Sequence, residues 1–293
     1  MNRKEHTSQV AGISLFRWAP RAPLPLRPHR YFRWTKQLPF APVVQNFGDL
    51  LSEDIVKYVV AKKGLSKPRL QDSASTQRLL AIGSIIQFLE PGDIVWGSGV
   101  NGKHITDLRK IENITYHAVR GPLSRELLQQ TGFEVPAVYG DPGLLSPLAF
   151  PKEHLLREDL IAAPVTLIPN LNDLPRWQSD AARLGSDFEL VSPMGTSAQI
   201  IQKIVNSQAV VTSSLHGFVL AEVYGVPRAL VVSGEEPLFK YKDYFAGTGR
   251  DNLQVFPTIE NAVKHLSDDE LKFDVQPLLE AFPDYLWENT DEN

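Results

Sequence analysis

The stretch "AVVTSSLHGFVLAEVYGVP", Ala209 to Pro227, decides how the chain folds. Its apolar opening, Ala209 to Val211, suits a buried strand. Three small hydroxyl residues follow (Thr212, Ser213 and Ser214), and a helical pattern resumes from Leu215 to Tyr224 with His216 in its first turn. "PRALVVSG" then reads as another strand. Strands alternating with helices imply right-handed crossovers and parallel pairing. An open parallel sheet binds its ligands outside the carboxyl ends of its strands, and His216 falls there. A histidine at that junction either packs against the helix start or acts as a general acid near neutrality. Ser213 and Ser214 suit helix caps; they also suit donation to a carboxylate or phosphate at the helix terminus.

The same rhythm extends in both directions. "NFGDLLSEDIVKYVVAKKG" reads as a helix with Leu51, Ile55, Tyr58, Val59 and Lys62 on one face, stopped by Gly64. "RLLAIGS", "DIVWGSG" and "ITYHAVRG" read as short strands. "PLSRELLQQTG" is a helix with Pro122 at its first position and Gly132 past its end. "PAVYGDPG" reads as strand then turn. After Pro151 the pattern restarts with strands "PVTLIPN", "DFELVSP" and "QAVVTSS", and helices over 173–184 and 196–206. The expectation is α/β, with two doubly wound domains facing across a cleft: 30–150 and 151–293, the second including a C-terminal tail. Residues 1–29 form a basic, proline-rich arm, expected to be an irregular tail, with order beginning near Arg30 at the strand "RYFRW".

The chain has 293 residues, 43% of them hydrophobic, enough for a packed core. A net charge of −4 gives no case for nucleic acid as a partner. Cysteine is absent, which excludes disulfides, thiolate nucleophiles and Cys-ligated zinc and fits a reducing, cytoplasmic setting. No apolar run approaches the ~18 residues of a membrane span. Residues 1–40 carry eight Lys or Arg and one Glu, a net +7 that leaves −11 for the remainder. Such an arm offers peripheral contact with an anionic membrane face, or with a phosphate-bearing substrate.

Further candidates stand at strand ends and helix starts. In "NFGD", Asn46 and Asp49 suit caps, and Asp49 also suits a cleft-facing base. "GSGVNG" (Gly97 to Gly102, with Ser98) matches G-x-G-x-x-G but is not at the first strand of its domain and precedes only a short helix. It reads as a loop that lets a ligand or the opposite domain approach the backbone. Arg120 in "HAVRGP" suits a planar carboxylate or a phosphate, or an interdomain salt bridge. Asp141 in "YGDPG" reads as a turn former. "PLFKYKDYFAGTGR", with Lys240, Lys242, Asp243 and Arg250, reads as a solvated edge or an anion-closing loop. His104 and His117 have no partners at metal-ligand spacing, so no metal is expected. There is no Walker A sequence and no G-x-S-x-G elbow, and Ser213 lies too near His216 in sequence for the usual nucleophile and base.

In order along the chain, "NFGDLLSEDIV", "IVWGSG", "AVRGPLSRELL", "YGDPGLL", "SSLHGFVLAEVYGVP" and "KYKDYFAG" resemble the polysaccharide pyruvyl transferases over roughly Asn46 to Gly247. The resemblance implies a GT-B-like fold of two Rossmann-like domains. It also implies phosphoenolpyruvate as donor, with no further cofactor, and a sugar diol of an exopolysaccharide or its precursor, free or lipid-linked, as acceptor. On that basis His216 is the acid, Arg120 holds the donor's carboxylate or phosphate, and Asp49 is a candidate base. Asn46, Gly48, Ser98, Ser213, Ser214, Lys240 and Lys242 complete the expected substrate-binding set. Several family members carry arginine directly before the Leu-His pair; here Ser214 stands there, so one donor contact must come from elsewhere, with Lys240 or Lys242 as candidates. Two alternatives share the architecture: a GT-B glycosyltransferase, with Glu235 or Glu236 gripping a ribose, and a glycan-binding accessory protein without catalysis.

Overall fold

The computed structural model describes residues 6–19, 25–27, 30–31, 45–69, 77–102, 111–157 and 164–290. The strands are β1 Thr7–Val10, β2 Ile13–Phe16, β3 Pro25–Arg27, β4 Arg30–Tyr31, β5 Leu65–Pro68, β6 Arg78–Leu80, β7 Ile94–Trp96 and β8 Thr115–Ala118, then β9 Val165–Ile168, β10 Phe188–Leu190, β11 Val210–Thr212, β12 Arg228–Leu230 and β13 Trp287–Asn289. The helices are α1 Phe47–Lys62, α2 Pro122–Gln130, α3 Ser146–Ala149, α4 Leu174–Leu184, α5 Ser197–Val205, α6 Leu215–Val223, α7 Phe239–Gly247, α8 Ile259–Val263 and α9 Gln276–Glu280.

Two sheets carry the mixed α/β architecture. The first has the order β1-β2-β6-β7-β8, with β2, β6, β7 and β8 parallel and β1 antiparallel at the edge. The second, β10-β9-β11-β12, is parallel throughout. Short β-branched runs such as Val210-Val211-Thr212 are buried on both faces, as parallel strands covered by helices must be. Helix α6 is apolar around nearly its whole circumference and is enclosed accordingly. Helix α1 lies between the sheets: Leu51, Ile55 and Val59 share one core with Trp96 of β7, Ile201 and Ile204 of α5, and Leu220 of α6. Each such side chain contributes roughly 1.5–3 kcal/mol relative to exposure.

The structure departs from the sequence reading in five places. The expected irregular tail does not hold for residues 6–19. There, β1 and β2 form a hairpin whose turn residues Ala11 and Gly12 both have positive φ, and β2 joins the main sheet with Phe16 opposite Leu80. The strand expected at "RYFRW" is reduced to Arg30–Tyr31 paired with β3, its remainder lying outside the described residues. "PLFKYKDYFAGTGR" contains α7, packed through Tyr241, Tyr244 and Phe245. Finally, the C-terminal tail returns to the first sheet's side of the molecule. There β13 pairs with β5, the Trp96 indole donates to the Leu278 carbonyl at 2.8 Å, and Trp287 is buried. "PAVYGDPG" keeps only an isolated parallel bridge, Val119 to Tyr139, before a 3-10 turn over Pro142–Leu145.

Candidate active site

In the second sheet the chain passes from β9 to β10 on one side and then crosses back to β11 on the other side of β9. The crevice between the carboxyl ends of β9 and β11 is therefore the topological switch point, where such sheets bind ligands. The loop at that point is rigidly held. The Thr212 hydroxyl donates to the Ile168 carbonyl at 2.6 Å and accepts from the Ser214 N–H at 2.9 Å, while the Asn170 N–H donates to Ser213 Oγ at 3.0 Å. Ser214 caps α6, accepting from the Gly217 N–H at 3.3 Å. His216 follows in the first turn, its side chain 14% exposed.

His216 Nε2 lies 3.5 Å from Asp141 Oδ2, and neither buried atom has a hydrogen-bond partner among the described residues. The other Asp141 oxygen accepts from the Gly143 N–H at 2.9 Å, which fixes the carboxylate. With Nε2 turned to Asp141, Nδ1 faces α1. Here Gly48 is indispensable: a Cβ at that position would come within 2.3 Å of His216 Nδ1. The next residue, Asp49, is partly exposed, yet protein atoms crowd its carboxyl. Desolvation by burial pushes it up to about 7, against the opposing pull of His216, Arg17, Lys240 and the Trp18 backbone N–H. The His216 imidazole, the Asp141 carboxylate and the Asp49 carboxyl thus converge where α1 and α6 begin.

The structure brings Asp49, Gly48, His216 and Lys240 together; the other expected ligands have different tasks. Arg120 is corrected from open anion ligand to buried ion-pair partner, the salt bridge that the sequence left as its alternative. Its guanidinium is fully enclosed, donating to Asp243 Oδ2 from Nε at 3.0 Å, to Ser84 Oγ at 2.6 Å and to the Val100 carbonyl at 2.8 Å. Asp243 also accepts from the Ser124 N–H at 2.8 Å. It thereby caps α2 from another helix, because the N-cap Gly121 has no side chain to do so. Ser98 and Ser213 are fully buried. Ser98 Oγ donates to the Gly83 carbonyl at 2.9 Å, and the Ser213 carbonyl accepts from the Tyr241 hydroxyl at 2.7 Å, so both support backbone. Asn46 is the N-cap of α1, accepting from the Gly48 N–H. Lys240 pairs with Glu236 at 3.1 Å, whereas Lys242, two positions on, is exposed on another side of α7. The glycine loop admits protein: Gly99 lies under the Arg120 guanidinium and Gly102 against Phe239 of α7. His104 lies outside the described residues, and the His117 ring lies 5.6 Å from that of Tyr285, tilted against it.

Residues 46–234 match the polysaccharide pyruvyl transferase family. The chain belongs to it. Membership makes this protein an enzyme of pyruvyl transfer to polysaccharide and implies a saccharide acceptor. No curated protein is similar to the sequence. Among solved structures, a functionally uncharacterised protein from Klebsiella pneumoniae subsp. pneumoniae NTUH-K2044 is similar at 10% identity over 73% of this chain and 90% of that one, with a TM-score of 0.48. No helix among the described residues of this pyruvyl transferase is long and apolar enough to cross a membrane.

Two residues of the site escaped the sequence reading. Asp141 passed for a turn former because its capping of Gly143 and its approach to His216 use different oxygens of one carboxylate. Arg17 lies within the segment expected to be irregular; the glycine turn at Ala11-Gly12, followed by the mostly apolar run Ile13–Phe16, is the signal that could have placed it.

Proposed function

We propose that this pyruvyl transferase takes its pyruvyl group from phosphoenolpyruvate and closes it as a ketal on a sugar diol. The two sheets are the cores of Rossmann-like lobes in a GT-B-like arrangement, dividing near residue 151, and the reaction runs at their shared crevice on the cytoplasmic side. The donor needs no further cofactor: positive side chains and the N-terminal turns of α1 and α6 receive its negative charge. Asp49 takes the proton of one sugar hydroxyl as that oxygen adds to C2 of the enol, and His216 delivers a proton to C3, making the methyl group. The C2–O bond to phosphate then breaks. The neighbouring hydroxyl bonds to C2, and its proton is balanced by the departing phosphate, which leaves as the hydrogen phosphate dianion. Asp141 is a positioning residue that holds the imidazole in place.

The observation that carries this reading is the His216–Asp141 approach of 3.5 Å between two otherwise unpartnered buried atoms, beside Asp49. The test is phosphate release from phosphoenolpyruvate with a panel of galactosides, glucosides and mannosides, wild type against His216→Ala. Release that requires both an acceptor and His216 is expected. Release undiminished in the variant would overturn the role of His216. Stabilisation by a nucleotide sugar, with no release on any acceptor, would overturn the donor.

A further inference from the structure

The crevice must receive an anion, yet most cations near it are engaged. Arg120 is enclosed by Asp243, Ser84 and Val100, and Lys240 is paired with Glu236. Arg17 is different. It follows β2, and β2 runs parallel to β6 with Phe16 opposite Leu80, so Arg17 emerges at the carboxyl edge of the first sheet, the same edge that presents Gly83 and Ser98. Gly83 faces Asp49: a Cβ there would lie 3.9 Å from Asp49 Oδ1.

The backbone around Arg17 is fixed on both sides. Its own N–H donates to the His6 carbonyl at 2.8 Å, and the Ala19 N–H donates to His6 Nδ1 at 3.3 Å. Trp18 stacks on Phe88 at 4.5 Å and on His6 at 5.4 Å. The side chain, by contrast, forms no ion pair within 4.0 Å among the described residues, although its charge acts on the Asp49 and Glu53 carboxyls, and its Nε is buried without a hydrogen-bond partner. A rigid backbone that holds a buried, unsatisfied guanidinium N–H close enough for its charge to act on the Asp49 carboxyl leaves an unfilled anion contact, since such groups in native proteins nearly always find a partner.

We propose that Arg17 binds the anionic end of the donor, its guanidinium taking the phosphate or the carboxylate of phosphoenolpyruvate beside Asp49. The proposal rests on the pyruvyl-transfer reading above. It extends the site beyond residues 46–234, to a hairpin that the family match does not include.

Calorimetric titration of phosphoenolpyruvate into the full chain tests it, with Arg17→Ala, Arg17→Gln and the exposed control Lys264→Ala. A lost charge-assisted contact weakens binding roughly ten- to a hundredfold, expected for both Arg17 variants, with Lys264→Ala near wild type. Arg17→Gln removes the charge but keeps a polar, hydrogen-bonding side chain, and melting curves confirm that the variants are folded. Wild-type affinity in a folded Arg17 variant would overturn the proposal while leaving the pyruvyl reading standing. No binding by the wild type would overturn both. Competition with inorganic phosphate and with pyruvate names the group held: the competitor that weakens in Arg17→Gln mimics the end that Arg17 contacts, and unchanged competition by both would count against any contact.

Discussion

Gly48→Ala is the sharpest probe of the site, because it separates positioning from folding. The added methyl would lie 2.3 Å from His216 Nδ1, 2.9 Å from Cγ and 3.2 Å from Cε1. Ordinary contact begins near 3.4 Å, so the imidazole must retreat by about 1 Å. Its route of retreat is limited, since α6 is buried and Asp141 is fixed by the Gly143 N–H. A displacement of about 1 Å at a reacting group costs on the order of a hundredfold in rate. Stability should respond differently. Gly48 stands in the first turn of α1, where alanine is favoured over glycine by up to about 1 kcal/mol, while crowding costs about 1–3 kcal/mol. The two largely offset, leaving a Tm within several degrees of wild type. The assay is acceptor-dependent phosphate release at saturating donor, alongside a melting curve. A folded Gly48→Ala enzyme with wild-type kcat would refute the placement of His216 at the reacting atoms. A variant that loses its fold would refute the claim that this contact serves position rather than stability.

Other outcomes follow from the same geometry. Asp141→Asn keeps an acceptor for the Gly143 N–H but removes the charge beside His216; kcat should fall roughly ten- to a hundredfold with little change in donor KM, as steady-state kinetics would show. Asp49 should produce a limb in the pH profile of kcat/KM, activity rising as pH passes about 7, and Asp49→Asn should abolish that limb with the activity. The same group links folding to pH. Its carboxyl ionises from 3.8 when unfolded but only near 7 when folded, so between these values the unfolded chain has released a proton that the folded one retains. Stability therefore falls as pH rises across that window, and Asp49→Asn should melt higher than wild type at pH 8, with the gain shrinking toward pH 4. Arg120→Ala should cost about 3–5 kcal/mol in urea unfolding, because it strands the buried Asp243 carboxylate; unchanged stability would restore Arg120 as a candidate donor ligand.

Much of this architecture is legible in the sequence, for a physical reason that also explains what is not. The strand-helix alternation from Arg78 to Leu230 follows from apolar runs bounded by caps and glycines. The junction carrying His216 follows from one uninterrupted stretch in which strand, Asx-like hydroxyl loop and helix are adjacent. Local patterns of that kind report local structure. The sequence does not separate a ligand from a structural role for Arg120 and Lys242, because their environment is set by partners more than a hundred residues away or by the rotation of a helix. Arg120 at a strand end looks alike whether it faces a substrate or Asp243; only the docking of α7, through Tyr241 on the Ser213 carbonyl and Asp243 on the start of α2, decides it. Arg17 and Asp141 were missed for the converse reason. Each stands in a segment with an adequate local explanation, a basic arm or a proline turn, and acquires its place only through tertiary packing: Arg17 when β2 joins the first sheet, Asp141 when the Pro142–Leu145 turn packs against α6. Charge at a crevice is a property of tertiary structure: which cations remain to meet a ligand depends on which have already found a carboxylate within the fold. By that criterion the cation proposed to meet the donor is Arg17 of the N-terminal hairpin, which lies outside the segment that identifies the family.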